Sequence, residues 1–190
     1  MDRRRLTYDA LGFRATYKCE SLDRLPSEAW PVHRYPEGSD GEDLILAVEP
    51  IGRERWIAVF ERELDYPDGV FGYPDPVRFC VNVGGLAYVV SSAEPRDHFL
   101  IEAQPVTTVS GLVLLNMIIF ADFWRLYAYG PNRNPIWISD ELSDDGLRIS
   151  QADSEVIRGQ GWSAAWQRWY DFELDPHDGR VLTSARPLSS

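Results

Sequence analysis

The stretch VRFCVNVGGLAYVVSS (77–92) constrains the fold more than any other part of the chain. Val77, Phe79, Val81 and Val83 alternate with Arg78, Cys80 and Asn82, the period of a strand with one apolar face. Gly84-Gly85 then supplies the positive φ angles that a tight two-residue turn requires, and Leu86, Tyr88 and Val90 carry the apolar face back. The stretch therefore predicts an antiparallel hairpin. DLILAVEP and RWIAVFERE repeat the pattern across the short EPIGRE link and predict a second one.

Further short segments follow. GLVLLNMIIF has no alternation and reads as a strand covered on both faces, a pattern it shares with a buried helix. FWRLYAYG, PIWIS, GLRIS, EVIRGQG, WYDFELD and VLTS add strands separated by turn residues. CESLDRLPSEAW has room for a turn or two of helix, limited by Pro26 and Pro31. Many short strands, with 14 glycines and 13 prolines, predict an all-β, mainly antiparallel fold: a sandwich, a barrel or a propeller-like meander. The 190 residues are expected to form a single domain (1–190), and YPEGSDGED (35–43) closes a more loosely packed N-terminal segment, 1–43.

The formal charge of −11 argues against a nucleic-acid partner, because phosphate contacts need a basic footprint. The start, MDRRRLTYDALGF, has no apolar run after its basic residues and does not read as a secretory signal. Leu112 to Phe120, the longest apolar run, is less than half of the ~20 residues that a membrane helix needs. Two distant cysteines, Cys19 and Cys80, suit a reducing compartment. A bacterial, cytoplasmic protein without membrane contact is expected.

The succession AYG (128–130), IWIS (136–139), LSDDGLRI (142–149), GQGW (159–162) and FELDPHDG (172–179) resembles a C-terminal pattern of small bacterial all-β proteins. The resemblance covers about the last third of the chain. It implies a shared fold segment, and no activity comes with it.

Several polar clusters are candidate sites. ISDELSDDGLRIS (138–150) places Glu141, Ser143, Asp145 and Gly146 as a calcium loop would, but its twelfth position is Ala152, which has no ligand oxygen. SDDG reads better as a turn, as does DPHDG (175–179). His33, His98 and His177 lie far apart with no spaced partner, so neither a metal nor another cofactor is expected. No GxSxG elbow or glycine-rich phosphate loop appears, and Cys80 reads as structural. The pairs Glu61/Glu63 and Asp171/Glu173 each share a strand face, a spacing common to solvent-facing strands and to paired catalytic acids. A constellation of His98, Glu102 and Asp122 rests on residue type alone.

The least ordinary feature is GWSAAWQRWYDF (161–172). Trp162, Trp166 and Trp169 share one face if the segment is helical, whereas Trp169 and Asp171 share one if it is a strand. Together with Arg168 they form the candidate ligand-binding set; the plainer reading is that they cap the end of a β core. The expected function is therefore non-catalytic binding. The first reading is an acidic protein-interaction module, immunity or antitoxin-like, for a basic protein partner. The second is a carbohydrate or small-ligand module using the tryptophans. Exposed sheet edges also admit a homodimer.

Overall fold

The computed structural model describes residues 6–185. Contacts between residues group the chain into two compact units, Met1–Ile101 and Glu102–Ser190. The all-β expectation holds: the described residues form four mostly antiparallel sheets and no closed barrel. No helix among them is long and apolar enough to cross a membrane.

The first unit contains β1 (Thr7–Asp9), β2 (Tyr17–Leu22), β3 (Val32–Tyr35), β4 (Leu44–Pro50), β5 (Trp56–Phe60), β6 (Gly69–Gly72), β7 (Arg78–Val83), β8 (Leu86–Ser91) and β9 (His98–Leu100). One sheet has the order β1-β6-β7-β8-β9 and the other β2-β4-β5-β3. Among the described residues only β1 on β6 and β3 on β5 are parallel pairs. The stretch 77–92 forms the predicted hairpin: Val83 pairs with Leu86, and Gly84 and Gly85 take φ of 55° and 86°. Strands from the N-terminal 43 residues enter both sheets, β1 beside β6 and β2 and β3 flanking β4 and β5.

The two sheets face each other across one core. Leu46, Val48, Trp56 and Phe60 of one pack with Phe79, Val81, Tyr88 and Val90 of the other. The alternate residues of β4 and β5, including Ile45, Ile57 and Val59, are also buried, with Leu22, Leu25 and Trp30 against them. Residues 23–31, where a helical turn was expected, form no helix and cover this second face irregularly. Two prolines in nine residues remove the amide donors a helix needs.

The second unit contains β10 (Thr108–Leu112), a 3₁₀ turn (Val113–Leu115), β11 (Met117–Ala121), β12 (Leu126–Tyr129), β13 (Pro135–Ile138), β14 (Leu147–Ala152), β15 (Ile157–Ser163), β16 (Arg168–Leu174) and β17 (Val181–Ser184). It is built from two consecutive antiparallel meanders, β10-β11-β12-β13 and β14-β15-β16-β17. Met117, Ile119, Leu126 and Trp137 of the first share a core with Leu147, Ile157, Phe172 and Leu174 of the second. GLVLLNMIIF is not one strand. Asn116 adopts φ 51° and turns the chain, so that Gly111 pairs with Ile118 and Leu112 with Met117. Asparagine tolerates this left-handed conformation better than most residues. The apolar run therefore folds back on itself.

Both cysteines are free. Burial pushes the Cys19 thiol up to about 12 and raises that of Cys80, which is wholly enclosed. Both thiols therefore stay protonated, and unreactive, at neutral pH. A thiol reagent at pH near 8 should label neither in the native protein and both after unfolding; rapid native labelling of Cys80 would contradict this packing. In the core, Leu46→Ala should cost about 2–5 kcal/mol in urea unfolding. Ile51→Ala, at a position 76% exposed, should stay within about 0.5 kcal/mol of the parent.

Candidate functional site

The β15–β16 hairpin sets the geometry of the tryptophan cluster. Its register pairs Gly159 with Phe172, Gly161 with Tyr170 and Trp162 with Trp169. On the inward face, each glycine lies beneath an aromatic ring. A Cβ on Gly159 would lie 2.5 Å from the Phe172 ring, and one on Gly161 would lie 3.0 Å from the Tyr170 ring and 2.0 Å from the Leu142 carbonyl oxygen. The glycines of GQGW thus let two large rings cover the core where two more side chains would collide. Strand alternation then directs Gln160 and Trp162 outward, together with Trp169 and Asp171. The segment is a hairpin, so the helical alternative for the three tryptophans is set aside.

On this outer face the Trp162 and Trp169 rings meet edge to face, with centroids 5.7 Å apart. The Arg148 guanidinium lies 3.9 Å from the centroid of Trp169. It comes from β14, on the far side of β15, and so reaches across a strand. At the hairpin tip Arg168 lies 4.6 Å from the centroid of Trp166, whose side chain is exposed. The four proposed residues therefore form two groups. Trp162 and Trp169 stack with Arg148, and Trp166 pairs with Arg168. Arg148 was absent from the sequence-based set, because its place over Trp169 depends on the register of three strands.

The acidic loop holds this platform from one side. The Ser143 hydroxyl donates to the Gly146 carbonyl (2.6 Å) and accepts from the Trp162 amide (3.0 Å). The Asp144 carboxylate accepts the Ala164 amide at 2.8 Å, fixing the hairpin tip. Gly146 has φ 109°, and the Trp169 ring lies 3.4 Å from where its Cβ would be. Residues 140–146 thus act as a turn clasping β15. Among the described residues, no three His, Cys, Asp or Glu side chains gather closely enough to hold a metal ion.

Carboxylates on the same face are engaged across strands. Gln160 donates to Asp171 at 2.8 Å, and Arg158 to Glu173 at 2.7 Å, holding the Glu173 carboxyl below its usual range. Asp171 and Glu173 therefore each serve a cross-strand partner. Asp122 of the distant constellation is buried: its carboxylate accepts the Trp124 and Arg125 amides, both at 2.7 Å, and the Tyr127 hydroxyl at 2.8 Å. That carboxylate shapes a turn.

The platform offers flat aromatic area, two guanidinium groups and a rim of amide and carboxylate. Such an arrangement binds by stacking, hydrogen bonding and charge. Comparison with protein-family models, curated proteins and solved structures finds no match for this chain.

Gly161→Ala should cost about 1–3 kcal/mol through the collision with the Leu142 carbonyl. It should also alter the near-ultraviolet circular dichroism of the Trp162–Trp169 pair. Trp166→Ala, at the exposed tip, should change stability by less than about 0.5 kcal/mol. Equal effects of the two changes would contradict the packing described for the hairpin.

Proposed function

We propose that the chain is a non-catalytic binding protein that docks another protein on the outer face of β14–β16. The observation that carries the reading is the Arg148–Trp169–Trp162 stack, flanked by Trp166 with Arg168. Tryptophan and arginine dominate the energetic centres of protein interfaces. Here the rings and guanidinium groups are already ordered against one another, which lowers the entropic cost of docking.

The acidic excess supports a basic partner. Asp144, Asp145 and Asp171 are exposed beside the stack, and a chain of formal charge −11 favours the approach of a cationic protein. An immunity or antitoxin-like role in the bacterial cytoplasm is the form of this reading that we favour, and the two free thiols support a reducing setting. A carbohydrate or small-ligand module is the second reading. Trp166, 39% exposed at the hairpin tip, is the residue that favours it, because a sugar ring could stack on its indole.

Affinity capture from native lysate should recover a basic protein in a complex weakened by salt. The Trp162→Ala/Trp169→Ala variant, with unchanged thermal unfolding, should lose that protein. Recovery of the same protein by the variant would remove this face from the reading. A glycan panel that shifts the tryptophan fluorescence of the parent but not of Trp166→Ala would select the second reading instead.

A further inference from the structure

A second site lies on the first unit, at the open side of its sandwich. Strand β3 is the edge of one sheet and β9 the edge of the other. The Tyr35 hydroxyl joins these edges by donating to the Pro95 carbonyl at 2.8 Å. Beside that bridge is a cleft of about 350 Å³ whose lining includes His33, Tyr35, Glu37, Pro95, Arg96 and His98. Two of the chain's three histidines, 65 positions apart in sequence, thus meet in one cavity.

Their rings are held in place. His33 packs edge-on against Trp56 and His98 edge-on against Tyr35, with centroids 5.4 Å and 4.9 Å apart. The Nδ1 atom of His98 is shielded from solvent and has no hydrogen-bond partner among the described residues. Arg96 is exposed on the turn before β9 and forms no ion pair among the described residues. Arg34, at the margin, is anchored to the Gly41 carbonyl at 3.1 Å and to Glu42 at 3.0 Å. Two imidazoles and the Arg96 guanidinium thus border a cavity large enough for a small metabolite.

We propose that the His33–Arg96–His98 cleft binds the doubly charged oxyanion of a small phosphate-bearing metabolite, and that it takes up protons in doing so. A metal ion would use the imidazoles but would be repelled by the guanidinium of Arg96. A single carboxylate carries half the charge of a dianion and so gains less from Arg96 and the imidazoles, while Glu37 and Glu94 oppose either anion. A dianion answers Arg96 and a protonated His33 ring together, with the His98 ring beside them. Tyr35, Pro95 and Val32 supply apolar wall for the remainder of the ligand.

The coupling to protons follows from the groups around His33. Burial, and then the charge of Arg96, lower its pKa, and Glu94 opposes them in part. In the empty cleft His33 is thus neutral at neutral pH. An anion between His33 and Arg96 reverses the second effect and favours the protonated ring. Linkage then requires binding to strengthen as pH falls through the histidine range. Glu37, Glu94 and the Arg34–Glu42 pair are the other charged groups at this edge.

Sulfate is the suitable probe, since its charge is constant over the range tested. Calorimetric titration should show sulfate binding about tenfold more tightly near pH 6 than near pH 8, with net proton uptake when buffers of different ionisation enthalpy are compared. Acetate should bind much more weakly than sulfate. Arg96→Gln and His98→Gln should each abolish the pH-dependent binding without altering thermal unfolding, whereas Arg14→Gln, between the opposite edge strands β1 and β2, should leave it intact. Binding that is absent near pH 6, indifferent to pH, retained in Arg96→Gln, or shown by zinc in place of sulfate would overturn the proposal.

Discussion

Both units depend on aromatic groups that lie in the apolar core and donate a hydrogen bond to a carbonyl across the sandwich. Trp56 of β5 donates its indole N–H to the Ser92 carbonyl, just beyond β8 of the facing sheet, at 2.9 Å. Tyr35 of β3 reaches Pro95 on the same side. In the second unit Trp137 of β13 donates to the Pro176 carbonyl, after β16, at 3.0 Å. Tyr170 of β16 donates to the carbonyl of Leu142, in the segment joining the two meanders. A buried indole or phenol must find an acceptor, and a buried loop carbonyl must find a donor. Each net bond contributes only about 0.5–1.5 kcal/mol, but leaving either partner alone costs more. Apolar contact makes the sheets face each other; these bonds decide how they are aligned.

That alignment determines where chemistry can appear. Strand interiors are consumed by ladder bonds and by the cores, so functional side chains can gather only at outer faces, hairpin tips and open edges. The tryptophan platform occupies an outer face and a tip. Its position traces back to Gly159 and Gly161, whose missing side chains admit Phe172 and Tyr170 inward and so fix the outward register. The histidine cleft occupies an open edge, where Tyr35 and Trp56 present their rings to His98 and His33. The same aromatic residues that staple the first sandwich therefore also order the imidazoles.

The legible part of the sequence was the part governed by near neighbours. The Gly84-Gly85 hairpin, the β4–β5 hairpin and the turn at Gly146 follow from period-two alternation and positive-φ glycines within a few residues. GLVLLNMIIF misled because hydropathy does not register the left-handed turn at Asn116. The residues of the tryptophan cluster were identifiable, since Trp162, Trp166, Arg168 and Trp169 fall within eight positions. Their grouping was not, because Arg148 approaches Trp169 across an intervening strand. His33 and His98 were harder still. Their meeting requires β3 and β9 to be edges on the same side of two facing sheets, and neither β3 nor β9 carries a signal of edge position in its own residues.

Both surfaces present arginine in a chain of net charge −11. Distance separates the effects. At physiological ionic strength the screening length is about 8 Å, so an approaching molecule feels the summed acidic charge only over a short range. Once it is in contact, the nearest groups decide. Many arginines are neutralised by close carboxylates: Arg34 by Glu42, Arg55 by Glu20, Arg62 by Asp68, Arg78 by Asp97 and Arg158 by Glu173. Arg148, Arg168 and Arg96 are different, for the first two rest on indole rings and the third on a turn beside two imidazoles. The acid excess can thus govern approach and solubility while these three guanidinium groups govern what is held.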